Sequence, residues 1–479
     1  MKGKGLKVGV EIHQQLDTNK LFCECKSDLR DDVPNINIQR RLYAVAGESG
    51  KVDAAAAYEE SKKRKYIYEG YSDTTCEVEF DESPPRELNE ETLRIGLQIA
   101  LLLNAKPVSV AQVMRKTVVD GSNTSGFQRT LLLARNGYVK VNGKKIGIYS
   151  INLEEDSGRR VAESKDSVTF RLDRLGIPLV EITTAPDIST PKEVKEVVLK
   201  IGEILRACKV KRGIGTIRQD LNVSIAGGDR TEIKGVQDPA LIPKIVENEA
   251  ERQASIIHEK EKVHKEVRNA LPDGTTKFLR PMPSAARLYP ETDLPLIKIS
   301  DALVKEIGKN LPKLKTELKA DLIKKGLSEE FASVLLSEGK AEEFESLFEK
   351  KLDANLIAKM LVLYPKDIAN KEKMALEDVD KKLSVKVLKE TLQFVSSGKL
   401  SESAVRDVLV EVAKGKDVAA AVKGFKPVSL DDVGTEIKKI VKDKPGLSLG
   451  AYMGMIMPKF KGKVDPSEIA KMLGKLINK

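Results

Sequence analysis

Apolar and polar residues alternate along several short segments in the first 295 residues of the chain. A period of two is typical of strands with one buried face, and Gly, Asp or Asn turns bound several of these segments. The pattern predicts strands over Lys7–Ile12, Cys76–Phe80, Gln112–Val119, Lys145–Leu153, Val168–Leu172, Leu179–Thr183, Leu221–Ala226 and Glu232–Val236.

Helical periodicity interrupts these strands at two places. One predicted helix begins near Asn89 and carries leucines at every fourth position on one face. The other has Thr190 as its N-cap, Pro191 at the first helical position and Glu193 completing a capping box. Because strands and helices do not alternate regularly, the pattern favours an α+β fold over a doubly wound one.

The pattern changes after a proline-rich segment. Four prolines fall in residues 280–295, and from about Ile299 the chain is rich in Lys, Glu, Leu and Ala at helical spacing. We therefore expect an all-α second part with a softer boundary near 414–417. The predicted domains are 1–298, 299–410 and 411–479.

Composition adds a charge asymmetry. The chain has 82 Lys+Arg and 72 Asp+Glu, a net charge of +10, and its last 69 residues hold 14 basic and 8 acidic residues, or +6. A basic C-terminal part indicates a polyanionic partner, although a lysine-rich solvated surface explains the charge equally well. No segment reaches the ~20 apolar residues of a membrane span, and the N-terminus lacks the apolar region of a signal peptide. Four cysteines form no disulfide framework, which fits a reducing cytoplasm.

Three acidic segments are candidates for chemistry. Alternation places Glu11 and His13 on one strand face, where two side chains can hold a metal. Residues 154–156 are Glu, Glu and Asp before a turn, and Glu181 interrupts an apolar strand. Each also has a plain explanation as a solvated strand face, a surface turn or an exposed strand position.

Two further strands carry paired polar side chains. Asp220 and Asn222 share one strand face, and Glu232 and Lys234 share another. Such pairs suit a nucleotide, and they suit a polar sheet surface equally well. The spacing Gly121–Gly126 resembles a phosphate-binding loop, but Phe127 and Gln128 follow it where Lys and Ser or Thr would bind phosphate.

The cysteines give a weak metal signal. Cys23-x-Cys25 is compatible with zinc but lacks a second close pair. Cys76 and Cys208 are predicted to be small core residues.

Several segments together resemble a known family, the B/E-type subunits of tRNA-dependent amidotransferases. The matching motifs are Val8–Cys25, Leu153–Gly158, Gly176–Ile182, Arg218–Ser224, Leu449–Met457 and Lys461–Pro466. Residues 13–18, Asp120–Arg129 and Arg280–Asp293 look like the archaeal E-type subunit (GatE) of glutamyl-tRNA(Gln) amidotransferase. One departure is large, because only some thirty residues, Leu241 to Ala270, fill the interval where that type carries an inserted domain.

The resemblance implies a cradle-shaped catalytic domain, a helical domain and a small helical tail similar to the YqeY family. It implies that ATP phosphorylates the γ-carboxylate of glutamate on tRNA(Gln), and that ammonia then displaces phosphate. The residues that would bind Mg²⁺ and carry catalysis are Glu11, His13, Glu155 and Glu181. Those that would line the ATP cavity are Asp220, Asn222, Glu232, Lys234, Ser122, Asn123 and Ser125.

Partners follow from the same resemblance. An asparaginase-like subunit, GatD, would supply ammonia, and the basic tail would contact the body of tRNA(Gln). We expect neither a membrane nor DNA as a partner. Two alternatives remain: a GatB-like subunit that works with a glutaminase A subunit and takes aspartyl-tRNA(Asn), and a non-catalytic tRNA-binding relative.

Overall fold

The structure is a computed structural model that describes residues 5–46, 50–283, 287–425, 430–460, 464 and 466–477. The chain divides into two units between Leu314 and Lys315. The first unit is rich in strands and the second is helical, which confirms the α+β prediction.

The first unit is rich in strands, which form one large mixed sheet and two smaller sheets. Its strands are β1 (Lys7–Gln15), β2 (Ile36–Arg40), β3 (Lys65–Gly70), β4 (Lys106–Pro107), β5 (Val110–Ala111), β6 (Val113–Thr117), β7 (Phe127–Val141), β8 (Lys144–Glu155), β9 (Arg159–Glu163), β10 (Ser167–Arg171), β11 (Pro178–Thr184), β12 (Ile217–Ser224), β13 (Thr231–Val236), β14 (Glu266–Ala270), β15 (Thr276–Pro281), β16 (Leu288–Pro290) and β17 (Ile297–Lys298). The main sheet has the order β15-β14-β13-β12-β1-β11-β8-β7-β6-β16, and β4 pairs with β7. A smaller sheet has the order β2-β3-β10-β9, and β17 pairs with β5.

Four helices of the first unit pack in an apolar core on one face of the main sheet: α2 (Glu90–Leu102), α3 (Pro191–Ala207), α4 (Ile242–His258) and α5 (Asp301–Lys309). A fifth helix, α1 (Ala54–Ser61), contacts β15 and lies outside this core. Alternate residues of β1, namely Val8, Val10 and Ile12, are fully buried in a core that also holds the apolar faces of α2 and α3. The residues between them point to the opposite face, so β1 presents Glu11 and His13 away from the apolar core.

Local signals set the predicted helix starts. Thr190 caps α3 by accepting a hydrogen bond from the Glu193 amide, and the Glu193 carboxylate accepts one from the Ser189 amide. Asn89 caps α2 in the same way. The strand predicted over Cys76–Phe80 is wrong, because this segment forms turns closed by bonds from the Glu79 and Phe80 amides to the Cys76 carbonyl.

The second unit consists of short helices. They are α6 (Lys315–Lys324), α7 (Glu329–Ser337), α8 (Ala341–Leu347), α9 (Ala354–Ala358), α10 (Tyr364–Glu372), α11 (Leu376–Lys382), α12 (Val385–Ser396), α13 (Val405–Ala413), α14 (Val418–Lys423), α15 (Leu430–Asp443), α16 (Leu449–Phe460) and α17 (Pro466–Ile477). A π-helical turn, Lys359–Leu363, joins α9 to α10, and a 3₁₀ turn, Glu402–Ala404, precedes α13. One apolar cluster extends from Leu322 to Val422 and another from Val433 to Leu473.

The packing bears on the three proposed domains. Helix α5 lies against α2, where Arg94 and Glu306 form an ion pair at 2.9 Å, so the first unit reaches Leu314 rather than residue 298. Residue 411 lies inside α13, and Val422 of α14 still packs in the same core. The limits 298 and 410 therefore stay proposals, and the apolar clusters favour a later start for the tail. In the described part of the chain, no helix has the length and apolar character needed to cross a membrane.

Candidate active site

Five neighbouring strands bring the sequence-predicted polar residues to one region of the main sheet. In the antiparallel register, His13 of β1 lies opposite Glu181 of β11, and Glu11 lies opposite Asp220 of β12. Asn222 in turn lies opposite Glu232 of β13. Pairing of strands distant in sequence thus assembles groups that spacing alone could not connect.

A first cluster contains His13, Glu154 and Glu181, whose ligand atoms lie within 4.8 Å of one another. The His13 Nε2 atom is 3.4 Å from Glu181 Oε2. Lys116 forms a close ion pair with Glu154, and its Nζ is 3.6 Å from Glu181 Oε2. Asn152 donates a hydrogen bond of 3.2 Å to the other Glu181 oxygen.

A second cluster contains Glu11, Asp220 and Glu232. Lys234 lies between two of these carboxylates, with its Nζ atom 2.7 Å from Asp220 Oδ2 and 2.6 Å from Glu232 Oε1. Asn222 donates a hydrogen bond of 3.0 Å to Glu11. The two clusters are adjacent, because Glu11 and His13 share one face of β1.

The charged groups of the two clusters shift one another's pKa values. Burial and the charges of Glu181 and Glu232 raise the pKa of Glu11 to about 7. Burial disfavours the imidazolium of His13, but its hydrogen bond to Glu181 and the charge of Glu181 outweigh burial and raise the pKa of His13. Burial would raise the pKa of Glu181, yet Lys116 and His13 hold it well below its usual range. Perturbed groups of this kind concentrate at functional sites.

The structure does not bring Glu155 into either cluster. Neighbouring residues of a strand point to opposite faces, so Glu154 faces His13 while Glu155 points away. Glu155 is buried beside Arg129, whose amide donates to it at 3.1 Å and whose Nη1 lies at 3.4 Å. That Glu11, His13, Glu155 and Glu181 bind a metal stays a prediction. The geometry divides them: His13 and Glu181 lie with Glu154, Glu11 lies with Asp220 and Glu232, and Glu155 lies beside Arg129.

A strand signal could have identified Glu154. Alternation carried to the end of β8 places Glu154 on the same face as Asn152, which contacts Glu181. The sequence pattern of residues 153–158 instead suggested an acidic stretch before a turn. Lys116, which pairs with both carboxylates of the first cluster, has no distinguishing signal in the sequence.

The predicted loop residues lie between β6 and β7. Ser122 lines a cavity of about 190 Å³ together with Thr117 and Gln128. Asn123 is buried, and the Ser125 hydroxyl donates to the Phe127 carbonyl, so these two help to fix the loop. Only Ser122 of the three faces this cavity.

The donor set of the second cluster fits a hard cation. Its ligands are carboxylate oxygens, which Mg²⁺ prefers. In the described residues, the buried Asn222 Oδ1 atom has no hydrogen-bond partner, and it belongs to the side chain that contacts Glu11. The ammonium group of Lys234 already occupies a position between two carboxylates, which shows that the cluster attracts positive charge. The first cluster adds two carboxylates and an imidazole to the same region.

A separate group of sulfur ligands lies near the smaller sheet. Cys23, Cys25, Cys76 and Glu79 offer ligand atoms within 4.8 Å of one another. Cys23 Sγ donates to Glu79 at 2.9 Å, and the Cys76 amide donates to the same carboxylate at 2.8 Å. Hydrogen bonds from Cys23 and Cys25 hold the pKa of Cys76 well below its usual range. Three sulfurs and a carboxylate suit zinc. Cys76 is only half-buried and belongs to no apolar cluster of the described residues, so its interpretation as a core residue is wrong, whereas Cys208 is buried in the main core as predicted.

Known protein families share both parts of this architecture. Residues 6–305 match the model of the GatB/GatE catalytic domain, and residues 342–477 match that of the GatB domain. The chain belongs to the GatB/GatE family. Both carboxylate clusters lie inside the catalytic-domain match, and the helical cores of the second unit lie largely inside the other.

Relatives in this family are similar along nearly the whole chain. The E subunit of glutamyl-tRNA(Gln) amidotransferase from Methanocaldococcus jannaschii is 37% identical and aligns with 99% of this chain and 97% of its own length. The proteins of the same name from Methanothermobacter thermautotrophicus and Pyrobaculum calidifontis are 35% and 34% identical, covering 95% and 98% of this chain and 94% and 99% of their own lengths.

The alignments also show that this GatB/GatE family member is shorter than its relatives. The alignment with the M. jannaschii protein spans 626 positions against 479 residues here, which leaves at least 147 positions without a counterpart. The structure passes from α4 to β14 through only residues 259–265. That the missing positions fall between Leu241 and Leu271 stays a prediction.

Proposed function

We propose that this protein is the synthetase subunit of an ATP-dependent glutamyl-tRNA(Gln) amidotransferase. It would phosphorylate the γ-carboxylate of glutamate on tRNA(Gln) and amidate it to glutamine. The observation that carries this proposal is the pair of adjacent carboxylate clusters, each neutralised in part by one lysine, inside a catalytic domain shared with relatives named for that activity.

The chemistry explains why such a site is acidic and lysine-containing. In the first step a γ-carboxylate oxygen bonds to the γ-phosphorus of ATP and ADP leaves. In the second, ammonia bonds to the acyl carbon, and phosphate leaves with that carboxylate oxygen. When bound, Mg²⁺ would supply positive charge that offsets the repulsion between the two anionic reactants.

The chain's own residues would share this work. Glu11, Asp220 and Glu232, with the unpaired oxygen of Asn222, would hold one cation, and the first cluster would supply further ligands. Lys116 and Lys234 would keep fixed positive charge beside the anionic reactants. The predicted catalytic role of Glu155 passes to Glu154, and Glu155 would position Arg129.

Partners belong to the same proposal. Glutamyl-tRNA(Gln) is the substrate, and an asparaginase-like GatD subunit is the ammonia source. The names of the relatives support a complex of several subunits. They favour this function over a GatB-like subunit acting on aspartyl-tRNA(Asn). Charged tRNA is used in translation, so a cytoplasmic location is part of the proposal.

The C-terminal helices would contribute tRNA affinity. Lys438, Lys439 and Lys442, named here the α15 lysines, are exposed on one helix, and none has a carboxylate within ion-pair distance in the described residues. Lys459 and Lys471, by contrast, pair with Glu436 and Glu468. Unpaired lysines on one surface suit the phosphates of an RNA backbone.

The test uses ammonium chloride as nitrogen donor, so that this chain is measured without its partner. Labelled glutamyl-tRNA(Gln), ATP, Mg²⁺ and the full chain should give glutaminyl-tRNA(Gln), and omission of ATP should abolish the product. Glu181→Gln should be inactive, while Glu251→Gln, an exposed change on α4, should retain wild-type activity. Absence of product both with ammonium and with a GatD subunit plus asparagine would refute the proposal. Activity only on aspartyl-tRNA(Asn) would support the GatB-like alternative, and binding of tRNA without turnover would support the non-catalytic one.

A further inference from the structure

Two arginines line the cavity beside Ser122. Arg280 lies near the end of β15, and Arg287 directly precedes β16. The cavity holds about 190 Å³ and also touches Thr117, Gln128 and Ser157. Neither arginine belongs to the carboxylate clusters or to the predicted ATP-binding set.

Both guanidinium groups lack a carboxylate partner among the described residues. Arg287 donates through Nε to the Thr117 carbonyl at 3.1 Å, and no described acceptor takes its two terminal nitrogens. The Arg280 side chain forms no hydrogen bond or ion pair with a described residue. Other arginines of the first unit that are buried or half-buried are paired, as Arg115 is with Glu291 and Arg129 with Glu155. Burial and the nearby charge of Arg280 lower the pKa of Arg287, although the charges of Asp53, Glu154 and Glu232 act in the opposite direction.

The two acidic residues on the cavity wall contact other groups of the chain. Asp120 accepts hydrogen bonds from the Ser122 amide and hydroxyl at 2.9 and 2.6 Å, and Glu59 pairs with Lys62 at 2.7 Å. The arginines therefore face hydroxyl groups and solvent, and the charges of Asp53, Glu154 and Glu232 only partly offset the effects of burial and of Arg280 on Arg287.

The loop wall of the cavity is rigid. Gly121 has a φ of +91°, and a Cβ there would lie 2.1 Å from the Tyr66 ring, so no other residue fits this turn. The Gly158 amide bonds to the Ser122 carbonyl at 2.7 Å. The loop thus holds Ser122 and Ser157 at fixed positions on the cavity wall.

The cavity adjoins the first carboxylate cluster. Gln128, on the cavity wall, lies 3.3 Å from Glu154 through its Nε2 atom. Thr117, which anchors Arg287, directly follows Lys116 on β6. An anion bound by the arginines would therefore lie next to the carboxylates assigned to cation binding.

We propose that Arg280 and Arg287 form a phosphate subsite, which holds the outer phosphates of ATP beside the carboxylate clusters. The inference rests on the proposed function and extends it to residues that bind the triphosphate. Arginine suits this task because its donors form a fork that matches phosphate oxygens. The cavity is smaller than the ~300–1,000 Å³ that encloses a whole ligand of nucleotide size, so it takes one part of the molecule.

A backbone phosphate of the tRNA is the competing occupant. Adjacency to Glu154 and Lys116 favours ATP, because the reaction requires the γ-phosphorus at the cation-binding carboxylates. Equilibrium binding of ATP, ADP and adenosine with Mg²⁺ to the full chain, without tRNA, separates the two. Arg280→Gln and Arg287→Gln should each raise the Kd of ATP at least tenfold, or about 1.4 kcal/mol, and leave that of adenosine unchanged. Arg135→Gln, at an exposed position of β7, is the matched control and should bind ATP as the wild type does.

Arg280→Gln keeps the result interpretable, since it removes no side-chain hydrogen bond to a described residue. Thermal unfolding checks that each variant is folded, and Arg287→Lys should recover part of the affinity lost in Arg287→Gln. An unchanged Kd for ATP in folded Arg280→Gln and Arg287→Gln overturns the subsite, and so does a loss confined to tRNA binding. If the wild-type protein amidates its substrate and both arginine variants bind ATP as tightly as it does, the subsite is refuted and the proposed function is not. Arginine-dependent ATP binding without any amidation refutes the proposed function alone.

Discussion

Glu154 and Glu155 are adjacent in sequence but face different surroundings, and this contrast yields a sharp prediction. Glu154 lies with His13 and Glu181, whereas Glu155 lies with Arg129. We expect Glu154→Gln to weaken the dependence of amidation on Mg²⁺, with the half-saturating Mg²⁺ concentration raised at least tenfold. Glu155→Gln should leave that concentration within about twofold of the wild type and lower the melting temperature instead.

The size of the effect expected for Glu154→Gln follows from the charge that it removes from the first cluster. Two carboxylates and Lys116 give the first cluster a net charge of about −1 when His13 is neutral, and removing the Glu154 charge makes it about zero. Two unit charges 4 Å apart interact by about 4 kcal/mol at an effective dielectric constant of 20. A tenfold loss needs only about 1.4 kcal/mol, so it is a conservative expectation. For Glu155→Gln, Arg129 keeps Glu291 at 2.8 Å, so we expect a loss of about 1–3 kcal/mol in the free energy of unfolding.

The assay measures initial rates of glutaminyl-tRNA(Gln) formation at saturating ATP and tRNA across a Mg²⁺ titration, with thermal unfolding of each variant in parallel. Glu251→Gln serves as the matched control on an exposed helix face. The reverse result, an increased Mg²⁺ requirement in Glu155→Gln with an unaffected Glu154→Gln, would refute the assignment and restore the ligand set expected from the sequence.

Three further predictions concern other parts of the chain. Purified protein should contain about one zinc per chain by mass spectrometry of metals, and Cys76→Ser should lose it; equal zinc content in both would contradict the sulfur site. Replacing the α15 lysines by Gln should weaken tRNA binding and reduce the slope of log affinity against log salt by about 2, since each phosphate contact contributes about 0.7–0.9; an unchanged slope would make them a solvated surface. Burial would raise the pKa of Glu249, but hydrogen bonds from Arg252 and Gln253 hold it below its usual 4.5. The stabilisation that ionised Glu249 gives is therefore present at neutral pH and lost as the pH falls below about 4.5. Glu249→Gln should lower the free energy of unfolding, measured in urea, by about 2 kcal/mol at pH 7 and by progressively less in acid. A difference that stays constant with pH would contradict this pairing.

Local patterns predicted the parts of the fold that local forces determine. The period of two on β1 placed Glu11 and His13 on one face, and the cap at Thr190 gave the start of α3. The turns at Cys76–Phe80 were missed because this apolar and acidic alternation imitates a strand. In the structure the Glu79 carboxylate turns back to the Cys76 amide and to Cys23, which a strand would not permit.

The sequence patterns did not predict which distant segments of the chain come together in the fold. Cys76 joins Cys23 only through tertiary packing across some fifty residues, so no spacing rule indicated it. The choice between Glu154 and Glu155 depended on where β8 ends, and element boundaries are the weakest part of pattern-based prediction. Alternation selected Asp220 and Lys234 on two strands that prove to be neighbours, and their side chains contact each other; their role in binding ATP stays a prediction.

The most direct test of the central claim follows an oxygen atom. Glutamyl-tRNA(Gln) labelled with ¹⁸O in the γ-carboxylate is incubated with the protein, ATP, Mg²⁺ and ammonium, and the inorganic phosphate is analysed by mass spectrometry. If ATP activates the carboxylate at the two clusters, each amide formed releases one phosphate that carries one ¹⁸O atom. Phosphate without ¹⁸O, alongside full amide formation, would contradict activation by phosphorylation and with it the role assigned to this site.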